Sequence, residues 1–193
     1  ASDVYKRQVD VRKMDVHQLR SNIAVVLQDV FLFSDTIEEN IKMGQRKELQ
    51  MEAVRLAAED AKARGFIEKM DEQYETVIGE RGVGLSGGQK QRLTIARALV
   101  GSPEILVLDD SASALDFATD AALRRAIADL DQEMTVLIVS QRANTVRYAD
   151  QIVVLDDGKA VGIGTHEQLL ESCEEYQEIY WSQNERVLAK EEA

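Results

Sequence analysis

Three stretches of the chain are apolar at every position: Ile23–Leu27, Ile105–Leu108 and Val136–Val139. A strand with one face in water alternates polar and apolar residues, because successive side chains point to opposite sides. Short β-branched runs without alternation are therefore expected as strands covered on both faces, as in a parallel sheet wrapped by helices. Helical periodicity fills much of the space between them. Glu48–Lys62 is Ala-rich and amphipathic, Gln89–Val100 is strongly apolar-periodic, and Ala118–Leu130 repeats Ala, Leu and Ile at helical spacing. Strands alternating with helices predict an α/β architecture. The segment from Asp35 to Leu85 reads as mostly helical and interrupts the sheet pattern, as an inserted subdomain would.

The ends of these runs carry the chemistry. The first ends at Gln28, the second at Asp109-Asp110 and the third at Ser140-Gln141. In open α/β sheets ligands bind beyond the carboxyl ends of the strands, so amides and carboxylates collected at one edge form a candidate site. A fourth run, Ile152–Leu155, also ends in two acids, but Asp157-Gly158 between apolar segments is a hairpin signal. That second Leu-Asp-Asp is assigned no chemistry.

Composition narrows the partners. A net charge of -12 argues against nucleic acid, whose phosphates require a basic surface. The lone Cys173 cannot form an internal disulfide, and nothing resembles a signal peptide, which fits a reducing, cytosolic setting. No apolar run approaches the roughly 20 residues needed to span a bilayer. His17 and Cys173 have no companions at ligand or nucleophile spacing, and His166 is expected in the first turn of a helix capped by Thr165. The stretch Asp3-Val4-Tyr5-Lys6-Arg7-Gln8 resembles the translated end of a transposon adapter, so residues 1–8 are set aside as an expected non-native scar.

Leu85-Ser86-Gly87-Gly88-Gln89 stands before the Gln89–Val100 helix. Ser86 is a natural N-cap, and Gln89 three residues on can close a capping box. Two glycines in the first turn clear side chains from the backbone, leaving helix N–H groups facing outward as an anion cap. This segment resembles the signature motif of ABC ATPases, continued by Lys90-Gln91-Arg92 and Ile95-Ala96-Arg97-Ala98-Leu99. Ile105–Asp109 resembles the family's Walker B strand, Ser113-Ala114-Leu115-Asp116 its D-loop, and Gln28 its Q-loop glutamine. All occur in order at family spacing, from about Val9 to Leu170. Phe31–Ile41, the loop Thr76–Gly82 and Gly164–Leu170 are similar to the exporter branch.

The resemblance implies an α/β P-loop NTPase (RecA-like) core with an inserted helical subdomain, its first strands and Walker A missing. The implied division is 9–34 for partial core with Q-loop, 35–85 for the helical subdomain, 86–170 for the remaining core, and 171–193 for the C-terminal helix and tail. It also implies ATP and Mg²⁺ as cofactors, held between two cassettes. Asp109 and Gln28 would orient the metal ion. Asp110 would stand at the general-base position and Gln141 at the switch position. Ser86, Gly87, Gly88 and Gln89, with Asp116 nearby, would cap the nucleotide held by a partner cassette. The implied setting is the cytoplasmic face of the cell membrane, with a transmembrane domain as further partner.

Three departures qualify this. No Gly-rich loop ending in Lys-Ser or Lys-Thr occurs in the 193 residues. Asp110 stands where active cassettes carry Glu, and Gln141 where they carry His. Together with the unaltered signature, these are the features of the degenerate-site subunit of a heterodimeric exporter, whose second cassette is non-identical. The alternatives are a soluble ABC-type ATPase of DNA repair or translation, and a non-hydrolytic regulatory cassette. Without a Walker A loop, the purified 193-residue chain is expected to show weak or no ATP binding as a monomer. Equilibrium binding at micromolar affinity would contradict that expectation.

Overall fold

A computed structural model describes residues 5–6, 9–44, 49–111, 114–130 and 134–191, with side chains described between 9 and 184. The expectation for residues 1–8 falls largely outside these, as do Ser113 of the D-loop and the start of the Glu48–Lys62 pattern. The chain divides into two units, 1–139 and 140–193. In the first, β1 (Tyr5–Lys6) pairs antiparallel with β2 (Val9–Asp10), and α1 (Val16–Ser21) leads into β3 (Ile23–Val26). Three helices follow: α2 (Ile37–Lys42), α3 (Met51–Asp60) and α4 (Arg64–Ile67). Then come α5 (Gly87–Leu99), β4 (Ile105–Asp109), α6 (Phe117–Ala128) and β5 (Thr135–Val139). The second unit contains α7 (Ala143–Val146), β6 (Ile152–Asp156), β7 (Lys159–Gly164), α8 (His166–Ser172) and α9 (Glu174–Glu191). No helix among the described residues is long and apolar enough to cross a membrane.

The three apolar runs form one parallel sheet in the order β3-β4-β5. Their register aligns Val26 with Leu108 and Leu108 with Ile138, so Ala24, Leu106 and Val136 share that face one step back. These residues pack into the main core with Ile37, Ile41, Leu93 and Ile95. The opposite face corrects the sequence expectation. Val25, Leu27, Leu137 and Val139 are each more than half exposed, so the strands are covered on one face only among the described residues. The physical reason is that α2, α3 and α5 gather in the core on one side. Uniform apolarity along a strand does not say which of its faces the helices cover.

The sharp turns are local. Asp157 and Gly158 join β6 to β7, and both have positive φ (45° and 73°), the two-residue hairpin expected from Asp-Gly. Thr165 caps α8 in a full capping box with Gln168, placing His166 in the first turn as expected. Asp116 caps α6: its carboxylate accepts from the Thr119 N–H at 2.9 Å and from the Thr119 hydroxyl at 2.8 Å.

The principal tertiary tie was not apparent from sequence. Arg97 of α5 donates from Nε to the Asn40 carbonyl at 2.7 Å, from Nη2 to Asn40 Oδ1 at 3.0 Å and from Nη1 to the Phe31 carbonyl at 2.9 Å. Asn40, fully buried in α2, uses its own amide to accept from Phe33 N–H and to donate to the Phe33 and Thr36 carbonyls. Burial lowers the Arg97 pKa from its ordinary value, yet arginine stays charged, so these are charge-assisted bonds.

Arg97→Met keeps the aliphatic stem and strands these acceptors, and is expected to cost about 3 kcal/mol of stability in urea unfolding. The Asp116 cap gives a pH test. Hydrogen bonds from the Thr119 N–H and hydroxyl lower its pKa below the ordinary 3.8. A depressed folded-state pKa contributes stability that is present above the unfolded value and lost as pH falls through the folded one. The melting-temperature gap between wild type and Asp116→Asn should therefore close as pH drops below 3.8.

Candidate functional site

The carboxyl edge of the sheet collects the strand-end residues of the first unit. Gln28 and Asp110 each lie two residues beyond the last β3–β4 pair, Val26 with Leu108. Asp109 is the final residue of β4 and pairs with Val139. Gln28 is exposed, and Asp109 and Asp110 are half-buried. The Asp110 N–H donates to the Val139 carbonyl at 2.9 Å, extending the ladder one residue past β4. Asp110 then turns into the left-handed region with φ 43°. Aspartate is among the few non-glycine residues that adopt this conformation readily, and such turns redirect side chains at functional edges. The edge thus presents two carboxylates and an amide, all oxygen donors.

The tip of α5 has the opposite character. Ser86 Oγ accepts from the Gln89 N–H at 3.3 Å, and Gln89 Oε1 accepts from the Ser86 N–H at 2.8 Å. Each bond of this capping box pairs a side-chain oxygen with a main-chain N–H, of Gln89 and of Ser86. What remains outward are donors: the Ser86 hydroxyl proton, the Gln89 Nε2 hydrogens and the Gly87 and Gly88 N–H groups, none with an acceptor among the described residues. A donor-rich surface on the positive end of a 13-residue helix suits an anion. Gly88 has a packing reason as well, since a Cβ there would meet the Ala114 carbonyl at 3.3 Å. The D-loop backbone therefore lies directly against the signature tip. Asp116, at the end of that loop, has its carboxylate committed to capping α6.

Gln141 belongs to the second unit and is exposed; its carbonyl accepts a hydrogen bond from α9. Among the described residues no group of three or more His, Cys, Asp or Glu is arranged to hold a metal ion. The expected Mg²⁺ needs no such cage, because this ion keeps waters and phosphate oxygens around one or two carboxylates. Asp109 with the Gln28 amide oxygen fits that donor type.

Supporting residues were missed at the sequence level. Arg97 and Asn40 are polar residues at otherwise apolar helical positions, Arg97 between Ala96 and Ala98 and Asn40 before Ile41, and that interruption was the available signal. Lys90 Nζ donates to the Arg81 carbonyl at 3.0 Å, tying the loop Thr76–Gly82 to α5. The same loop is pinned to α2 by Ile37 N–H to Thr76 O at 3.0 Å and Ile78 N–H to Asp35 O at 2.9 Å. Val77 on it and Val83 just after it are left exposed.

Comparison with known proteins accords with this geometry. Residues 3–113 match the family model described as ABC transporter. An ATP-dependent lipid A-core flippase of Haemophilus ducreyi is 43% identical over 172 residues, covering 89% of this chain and 30% of the flippase. An uncharacterized ABC transporter ATP-binding protein of Bacillus subtilis, YknU, is 47% identical over 162 residues, covering 84% of this chain and 28% of that protein. The chain thus spans less than a third of the length of these relatives. A solved bacterial Atm1-family ABC exporter with ATP bound superposes with a TM-score of 0.84 at 36% identity, over 92% of this chain and 31% of the exporter. The chain belongs to the ABC transporter family and has the nucleotide-binding-domain fold of its exporters.

Proposed function

We propose that this chain is the ATP-binding part of a heterodimeric ABC exporter, coupling ATP binding and hydrolysis to transport across the cell membrane from its cytoplasmic face. One observation carries the reading: the strand edge bears two carboxylates and an amide, and the α5 tip is rich in hydrogen-bond donors. Asp109, Asp110 and Gln28 are suited to a metal ion and a reacting water. Ser86, Gly87, Gly88 and Gln89 are suited to a terminal phosphate. In this reading the tip closes over a nucleotide carried by a second cassette, while the edge serves this chain's own nucleotide.

Mg²⁺, when bound, supplies charge neutralisation to phosphoryl transfer. Asp109 and the Gln28 oxygen hold its position, and the Gln28 amide links that position to the Phe31–Ile41 segment. Asp110 takes the proton of the attacking water, but with one methylene less than the family's Glu. A general base works within about 2.6–3.2 Å of the proton it abstracts, and a displacement of about 1 Å costs on the order of 10²-fold. Gln141 donates to the terminal phosphate without the charge an imidazolium would bring. These residues favour holding nucleotide over rapid turnover. The intact signature instead serves the site of a partner that carries its own catalytic Glu and switch His. The exposed Val77, on the loop pinned by Lys90, and Val83 just after it supply a contact for a transmembrane domain.

The test is restoration. In the full-length protein with its partner, Asp110→Glu combined with Gln141→His should raise ATP turnover at this site by about tenfold or more. An unchanged steady-state rate would count against the degenerate-site reading. Single-turnover assays with the partner's catalytic Glu removed separate slow hydrolysis from none, the latter being the behaviour of a purely regulatory cassette.

A further inference from the structure

The second unit contains a contact that none of the family motifs accounts for. Gln183 of α9 donates from Nε2 to the Gln141 carbonyl at 2.7 Å, and its Oε1 accepts from the Ala143 N–H at 3.0 Å. A primary amide that both gives and takes, on main-chain groups two residues apart, grips the segment as a neighbouring peptide would. The two pairs lie 42 and 40 positions apart in sequence.

Local structure explains why the grip is needed. Ala143 is the first residue of α7, and its N–H lies outside the helix's own ladder. Arg142, the N-cap, contributes no side-chain cap. Ala143 is buried at 4% exposure, so the N–H depends on a protein acceptor, and Gln183 supplies it from another helix. The neighbouring Asn184 extends the contact: its Oδ1 accepts from Asn144 Nδ2 at 3.2 Å while its own Nδ2 donates to the Tyr180 carbonyl at 2.8 Å. The helix is anchored upstream of both amides. Tyr176 is buried at 3% exposure and shares a 2.8 Å hydrogen bond with His166 Nδ1, and the His166 ring meets Tyr180 edge-on at 5.0 Å. Gln183 is therefore delivered from a fixed support, and what it fixes is the main chain on both sides of Arg142.

We propose that Gln183 is a positioning residue for Gln141, through which the C-terminal helix sets the main chain of the switch segment. This rests on the reading of Gln141 as a donor to the terminal phosphate. The exposed Gln141 side chain has no hydrogen bond of its own among the described residues, so what the fold fixes of it is the position of its main chain. Holding the Gln141 carbonyl and the Ala143 N–H removes two residues' worth of main-chain freedom before nucleotide arrives, which is preorganisation.

Two variants test it in the full-length protein. Gln183→Leu retains helix propensity and bulk but neither hydrogen bond; Gln183→Glu keeps only the acceptor. Hydrogen exchange of residues 140–146 and equilibrium binding are measured, with adenylyl imidodiphosphate as the non-hydrolysable triphosphate and ADP as the diphosphate. Gln183→Leu is expected to speed exchange at Ala143 by about tenfold and to weaken the triphosphate analogue by about three- to tenfold. ADP affinity should stay at the wild-type value, and Gln183→Glu should fall between. Wild-type exchange in the leucine variant, or equal weakening of both nucleotides, overturns the positioning role. So does faster exchange with both affinities unchanged, which would make the clasp structural only. A wild-type protein that binds the two nucleotides equally removes Gln141 from the phosphate and the proposal with it. That failure is visible before any variant is made.

Discussion

One half-buried guanidinium fastens α5 to the segment that follows Gln28. Arg97 projects from the signature helix and bonds the carbonyls of Phe31 and Asn40 and the Asn40 side chain. Asn40 in turn holds both main-chain groups of Phe33. The segment that follows Gln28 is thereby fastened to the helix whose tip carries Ser86, Gly87 and Gly88. Charge-assisted bonds to main-chain carbonyls are strong when every arm is satisfied, and losing the guanidinium takes a donor from the buried Asn40 side-chain oxygen at a cost. Movement of the Q-loop segment and movement of α5 are therefore tied at this point. Lys90 and Arg92 extend the same helix's reach, to the Arg81 and Lys62 carbonyls.

The polarity of the two candidate surfaces follows from how each is built. At the strand edge, main-chain donors are consumed by the ladder, down to the Asp110 N–H on Val139, and carboxylates are what is left. At the α5 tip the capping box occupies both side-chain oxygens, while the Ser86 hydroxyl, the Gln89 amide hydrogens and the Gly87 and Gly88 N–H groups stay open to an acceptor. A magnesium–triphosphate ligand offers a cation to the first and anionic oxygens to the second. Neither surface needs a charged lysine or arginine to reach this state, which is how a chain of net charge -12 remains suited to a phosphate ligand.

How much was legible depended on the range of the interaction. The Ser86–Gln89 box, the Thr165–Gln168 box and the Asp157-Gly158 turn are contacts over two or three residues, and their sequence patterns specify them almost completely. The three parallel strands were legible from their unbroken apolarity, within one residue at each end. The start of α5 was legible from the cap: with Ser86 as N-cap both glycines fall in the first turn, and Gly87 is the first helical residue although glycine disfavours a helix by propensity. The Arg97–Asn40 tie spans 57 residues, and periodicity carries no information about which polar residue will find which carbonyl.

The sequence alone determined the sheet's strands, the capped glycine-fronted helix, the order of the motifs, and the identity of Asp110 and Gln141 at their positions. Each of these is written in local spacing or in the residue itself. Tertiary structure decided which face of the sheet is covered, that Asp116 spends its carboxylate on Thr119, that Arg97 binds the Phe31 and Asn40 backbone, and that Gln183 grips the segment of Gln141. Those outcomes depend on elements distant in the chain meeting in space, where a hydrogen bond is selected by distance and direction, and neither is encoded in the spacing of residues along a strand or a helix.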